Sequence, residues 1–238
     1  MLTSFLNDMG DSLAIVIGST GGIGAAVVAQ LQAQSQFTRV VGLSRSTQPA
    51  LDLLNEASIQ ACAQHIASLA LPVRLVVDAT GTLHGDGMQP EKSWQQLDAV
   101  QMAHVFAINA IGPALLMKHF LPLLPKSGKA VFASLSAKVG SIGDNRLGGW
   151  YSYRASKAAL NQLVHTAAIE LRRRAPEAVC VVLHPGTVAT TLSSPFAKTG
   201  LDVQTPAESA AKLLAVVDEL TAADSGGFFN HDGSELPW

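Results

Sequence analysis

Charge is scarce in this chain. Asp, Glu, Lys and Arg make up 14% of its 238 residues, against 48% hydrophobic, and the net charge is −2. So much apolar matter excludes a disordered chain. The lack of a basic stripe argues against a nucleic-acid partner. The densest positive cluster, Arg172-Arg173-Arg174, suits the last turn of a helix, where cations face the negative end of the dipole. Cysteine is scarcer still. Cys62 and Cys180 lie far apart and outside any CxxC pair, so no zinc or redox motif is present. Cys180, inside the apolar run AVCVVL, reads as a small buried hydrophobe. No apolar run reaches about 18 residues, which predicts no membrane span. The start MLTSFLNDMGDS has neither the basic residues nor the apolar stretch of a signal peptide. Together these absences predict a reduced, cytoplasmic protein.

Familiar catalytic patterns are missing too. There is no HExxH, and His84, His104, His119 and His165 scatter over different elements, so no metal site is expected. His184, before Pro185, is expected to make a structural hydrogen bond. No serine sits in GxSxG, and no carboxylate pair suits glycoside chemistry.

What is present is an alternation of short apolar runs with longer helical stretches. The runs Leu13–Ile17, Arg39–Leu43, Val73–Ala79, Lys129–Leu135, Ala178–His184 and Gly226–Asn230 read as strands, with a short further strand at Ala50–Leu54. Helices are expected after the glycine-rich GSTGGIG and over about 55–69 (capped by Asn55), 93–106, 109–124, 152–174 and 206–221. Pro113 is tolerated near the start of its helix. Continuously apolar strands alternating with helices predict one α/β domain: a Rossmann-like, doubly wound parallel sheet of about seven strands, covered on both faces. The dinucleotide-binding part spans about 12–135 and the catalytic and substrate part about 136–238.

Two motifs carry chemistry. In WYSYRASKAALNQ, Tyr153 and Lys157 are four residues apart on a helix and share a face. An ammonium beside a phenol is expected to lower the phenol's pKa and fit it to exchange a proton near neutral pH. In the second motif, Gly18, Gly22 and Gly24 form GxxxGxG between the first strand and first helix. Such a turn lets backbone N–H groups approach a pyrophosphate. At the end of the next strand, where a carboxylate would bind the 2′-OH of NAD, stand Ser44 and Arg45. A hydroxyl and a guanidinium suit a 2′-phosphate, so NADP(H) is expected over NAD(H).

In this order, GxxxGxG and YxxxK resemble the short-chain dehydrogenase/reductase family over nearly the whole chain. The segments GSIGDNRLGGWYSYRASKAALN and GGFFNHDGSELPW look most like its C-factor and sniffer-like carbonyl reductase subgroup. The resemblance implies a hydride transfer between nicotinamide and a carbonyl or alcohol, with Tyr153 as general acid, Lys157 as its tuner and ribose anchor, and Asn109 supporting a water that links Lys157 to solvent. It implies cofactor contacts from Gly18, Ser19, Thr20, Gly22, Ile23 and Gly24. Further contacts come from Ser44, Arg45, Asp52 and Leu53, from Ala79, Thr80 and Gly81, and from Pro185, Gly186, Val188 and Thr190 of the HPGTVAT segment. The family's serine spacing falls here on Gly140; Ser136, at a strand end, is favoured over Ser141 and Ser134. Asp78-Ala79-Thr80-Gly81 replaces the family's NNAG, keeping only the glycine. A lid over about 188–204, with Leu192, Pro195 and Phe196, is expected beside Leu83, His84 and Trp150 as a pocket wall, while Tyr151 reads as loop packing or pocket wall. A homodimer or homotetramer is implied, acting on a small carbonyl or alcohol. The competing function is a dinucleotide-binding signalling or sensor protein with little turnover.

Overall fold

The computed structural model describes residues 5, 10–85, 87–193 and 203–238. Six strands form one parallel sheet: β1 (Leu13–Ile17), β2 (Arg39–Leu43), β3 (Val73–Asp78), β4 (Ala130–Leu135), β5 (Ala178–His184) and β8 (Phe228–Asn230). Their order is β2-β1-β3-β4-β5-β8. The order reverses direction between β1 and β3, and ligands of doubly wound sheets bind outside the strand ends at such a point. A small parallel pair, β6 (Thr187–Val188) with β7 (Val203–Gln204), lies apart from the sheet.

The strands are apolar over most of their length because both faces are covered; Arg39 and Arg74 are polar exceptions, and Asp78, Ser134 and His184 fall at or near strand ends. Leu13, Ile15 and Ile17 point to one face, with Phe132, Cys180 and Val182, and meet helices α2 (Glu56–Ser68), α4 (Gly112–Phe120) and α5 (Tyr151–Arg174) through Ile59, Phe120 and Leu160. Ala14 and Val16 point the other way, with Val77, Ala133 and Val181, onto α1 (Gly22–Gln34) and α6 (Pro206–Glu219) through Leu31 and Leu213. This period-two division of each strand is what a two-sided core requires. Asn55 caps α2 by accepting from Ser58 N, and Thr205 with Glu208 forms a capping box on α6.

One expectation needs correction. Ala50–Leu54 is not a strand, so the main sheet has six strands rather than about seven. Its backbone turns instead: Leu54 N donates to Asp52 Oδ1 and Leu51 N to Ser44 O, local bonds that compete with a ladder. The chain also contains one helical stretch, Ala99–Leu123, that by length and composition alone could cross a membrane (25 residues, mean hydropathy 1.5). No run of it is uninterrupted, yet its average is apolar. Here it is a layer of the domain. It comprises α3 (Ala99–Phe106), a π-helical segment Ala107–Ile111, α4 and a 3₁₀ turn Leu121–Leu123, and it buries Leu116, Met117 and Phe120 in the core.

Candidate active site

The site is built along the C-terminal ends of β1, β3, β4 and β5. After β1 the backbone swings at Gly18, whose φ of +79° favours glycine, and where a Cβ would press on Ala79 O at 2.9 Å. The ends of β1 and β3 are therefore in contact. A Cβ on Gly24 would collide with Gly18 O, so helix α1 starts directly against the turn. That helix has no side-chain cap and no acidic residue in its first turn. Its first N–H groups are left to an anion, and Thr20, Gly21 and Gly22 are exposed beside them. A Cβ on Gly22 would meet Thr190 Cγ2 at 2.8 Å, so the HPGTVAT segment closes on the glycine loop from the far side. These residues fit a dinucleotide pyrophosphate.

Beyond β2, Ser44 is buried and Arg45 exposed, with Ser44 Oγ 3.0 Å from Ser46 Oγ. Asp52, half-buried, holds Leu54 N, and Leu53 packs where a Cβ on Gly112 would stand. Gly81, after β3, is the meeting point: a Cβ there would lie 3.5 Å from both Asn109 Oδ1 and Lys157 Nζ. Asn109 is fully buried on the π-helical segment. Its Oδ1 accepts from Thr82 N at 2.8 Å, and its Nδ2 donates to Thr82 O at 2.8 Å and Ser156 Oγ at 3.1 Å. Both amide hydrogens are thereby committed to joining the β3 end to α5.

Tyr153 and Lys157 stand one turn apart on α5, both buried. Lys157 Nζ donates to Leu135 O at 2.8 Å, reaching the end of β4. Burial pushes the Tyr153 phenol up to about 12, against the expected lowering by Lys157. The cost of a phenolate in this dry setting outweighs the neighbouring cation. Burial likewise pushes Lys157 down to about 8, with the Asp78 carboxylate opposing the fall. Asp78 is itself buried and accepts from Ser134 Oγ at 2.6 Å and Thr80 Oγ1 at 2.5 Å.

The three candidate serines differ in what they touch. Ser134 donates to Asp78. Ser141 Oγ faces Trp238 O at 3.3 Å and accepts from Asp144 N at 3.0 Å, a staple within the loop. Ser136, at the end of β4, meets α5 through Asn161 Oδ1 at 2.6 Å. Pro185 and Gly186 follow β5, Gly186 with φ +79°, and Val188 is buried. His184 departs from expectation: its Nδ1 is buried without a partner. Burial, His231 and Lys138 push it down to about 4, which keeps the ring neutral.

The pocket wall is partly in view. Trp150 meets Tyr153 edge-on at 6.2 Å, Leu83 is buried, Tyr151 is half-buried as the first residue of α5, and His84 Nε2 bonds Thr191 O and Leu192 O at 3.1 Å. Pro195, Phe196 and most of the expected lid lie outside the described residues. Sequence reasoning missed two members of the site. Asn161 follows Lys157 by one more turn, a spacing that was legible. Glu91, buried, accepts from Ser152 N at 3.2 Å and from Ser152 Oγ, while its carbonyl accepts from Trp150 N. It caps α5 from 61 residues away, and no local signal marks that.

Comparison with known proteins gives the family and the fold. The family model described as short chain dehydrogenase matches residues 12–200. The chain is similar to C-signal of Myxococcus xanthus, 40% identical over 60% of this chain and 81% of that protein. It is 30% identical to 1-hydroxy-2-glutathionyl-2-methyl-3-butene dehydrogenase of Rhodococcus sp. (strain AD45), covering 95% of this chain and 100% of that one. Among solved structures, the NADPH-bound carbonyl reductase from chicken fatty liver superposes with a TM-score of 0.83 at 28% identity, covering 95% and 98% of the two chains. The carbonyl reductase Sniffer of D. melanogaster shares the fold, with a TM-score of 0.82 at 22% identity over 96% and 99%.

Proposed function

The chain belongs to the short-chain dehydrogenase family, whose members are oxidoreductases that use NAD(P), and from that premise we propose that it is an NADP(H)-dependent reductase of small carbonyl compounds. The observation that carries the reading is the buried Tyr153–Lys157 pair at the β4 end, contiguous through Gly81 and Gly18 with an uncapped helix start. The dinucleotide, when bound, supplies or takes the hydride. Gly18, Ser19, Thr20, Gly22, Ile23 and Gly24 hold its phosphates, Asp52 and Leu53 flank the adenosine half, and Ala79, Thr80 and Gly81 line its path. Pro185, Gly186, Val188 and Thr190 bound the nicotinamide half.

Tyr153 is protonated in the free protein, the state a proton donor needs, while burial makes it a weaker acid than a free phenol. Ser136 donates a second hydrogen bond to the same oxygen. Lys157 keeps a positive charge beside the phenol and anchors the ribose, and Asn109 supports the water route to Lys157. Arg45 gives the preference for NADPH: it is exposed just after β2, where the run Leu43-Ser44-Arg45-Ser46-Thr47 carries no carboxylate to receive a 2′-OH. The apolar residues Val100, Ile111, Leu163 and Ile169, exposed on adjacent helices, support a homodimer or homotetramer.

A second reading, a dinucleotide-binding signalling protein without turnover, is favoured by the 40% identity to C-signal. Following NADPH absorbance against a panel of ketones and aldehydes separates the two. Turnover in the wild type that falls about 100-fold or more in Tyr153→Phe is expected for the reductase. Tight NADPH binding with no turnover on the panel would select the sensor. Arg45→Ala should lose about tenfold in kcat/KM with NADPH and little with NADH; a wild-type preference for NADH would overturn the cofactor assignment.

A further inference from the structure

Tyr153, Lys157 and Asn161 repeat at intervals of four, so α5 presents them as one column. Their exposures are 9%, 3% and 2%. A carboxamide this deep in the protein needs a reason, and its surroundings supply one. Its Oδ1 lies 2.6 Å from Ser136 Oγ, which is itself only 3% exposed. The other half of the same group, Nδ2, is buried with no partner. Buried amide donors are almost always satisfied, so an orientation that gives this one a partner is to be preferred.

A terminal carboxamide can turn end for end and exchange its oxygen and nitrogen in nearly the same space. With Oδ1 toward the serine, the Ser136 hydroxyl donates its proton to Asn161 and cannot donate it to a substrate. With Nδ2 toward the serine, the amide donates to Ser136 Oγ. The orphaned donor then has a partner, the serine oxygen stays fixed at the end of β4, and the hydroxyl proton is free to turn outward. Ser141 has no such support, because its hydroxyl donates to Trp238 O and its oxygen accepts from Asp144 N.

We propose that Asn161 is the positioning residue of Ser136: its amide N–H holds the serine oxygen so that the hydroxyl proton serves the carbonyl oxygen of the substrate. The inference rests on Ser136 being the hydroxyl donor of the proposed reductase. It makes the site a column on α5 facing one serine on β4, with Asn161 acting only through that serine.

The experiment is a double-mutant cycle on carbonyl reduction, with NADPH affinity followed separately by fluorescence titration. Asn161→Ala is expected to lower kcat on the order of tenfold or more, leave the NADPH Kd unchanged, and add nothing further in a Ser136→Ala background. Asn161→Asp is nearly isosteric and supplies a second readout. Its ionised carboxylate can accept but not donate, so it should lose activity as Ala does. Activity relative to wild type should recover as the pH is lowered and the carboxyl takes up a proton. Losses that multiply across Ser136→Ala and Asn161→Ala would overturn the inference, as would full activity of Asn161→Asp at neutral pH. If Ser136→Ala keeps full turnover, or the wild type has none, the reductase reading fails as stated and the inference with it. If Ser136→Ala loses turnover while Asn161→Ala keeps it, the inference alone fails. If neither Asn161 variant folds, the amide serves the fold and the proposal is wrong.

Discussion

A single buried ammonium gives the site a measurable pH signature. Lys157 is held at about 8 in the fold, against 10.5 for a free lysine, by burial. A depressed lysine means that the unfolded chain binds its proton more tightly between those values, so this group opposes folding most below pH 8. Its penalty fades as pH rises from about 8 toward 10.5. Lys157→Met should therefore be more favourable to stability at pH 7 than at pH 10, relative to wild type, in urea unfolding. An unchanged difference across that interval would mean that Lys157 is not a buried cation. Tyr153, raised to about 12, acts in the opposite sense only above pH 10, and Lys129, also lowered to about 8 by burial, is common to both proteins and cancels in the difference. The Tyr153–Lys157 pair was legible in the sequence because helical spacing is local. The sign of the phenol's shift was not, since it depends on how much protein surrounds the ring, and the surrounding atoms come from other elements.

Elements hold the site through their ends. Helix α5 starts at Trp150 in a left-handed conformation with no cap from its own side chain, and Glu91 supplies the missing acceptor from a distant loop. Glu91→Ala should cost about 2 kcal/mol, combining a lost cap with a buried Ser152 left unpaired. A change under about 0.5 kcal/mol in denaturant unfolding would show that the carboxylate does not cap the helix. At the other helix start, Gly24→Ala places a Cβ against Gly18 O. The expected outcome is loss of NADPH binding, or of soluble protein; retained affinity would mean that α1 can withdraw from the turn at no cost. The glycine spacing announced a tight turn there, and Asn55 announced the start of α2, whereas the Thr205–Glu208 box on α6 came into view only in the structure. The stretch Ala50–Leu54 misled because an apolar run reads alike as strand or as turn. Only the bonds from Leu51 and Leu54 decide which.

At the scale of the whole molecule, two-sided burial explains why the central strands are mostly apolar, and the exposed apolar residues on α3–α5 remain over once both faces are covered. Ile111 and Leu163 are 54% and 37% exposed. If they meet a second copy, the pair Ile111→Glu and Leu163→Glu should shift the light-scattering mass to that of a monomer while each chain stays folded. A wild type that already runs as a monomer would refute the assembly. The helix Ala99–Leu123 shows the same lesson from the other side. Its average hydropathy is high, but Asn109 and the core contacts of Phe120 give it a place in the sheet layer.

By itself the amino-acid sequence determined the class of fold and singled out the Tyr153–Lys157 pair. Strand and helix periodicity, a glycine turn and a spacing of four all act between near neighbours. Only the tertiary structure decided the number of strands, the protonation of Tyr153 and Lys157, and the identity of the residues that support them. Asn161 faces Ser136 from 25 residues away, Asp78 at the end of β3 opposes the fall in the Lys157 pKa, and Glu91 reaches α5 across 61 residues. Burial and hydrogen bonding between distant segments exist only once the chain has closed on itself, and they carry no periodic mark in advance.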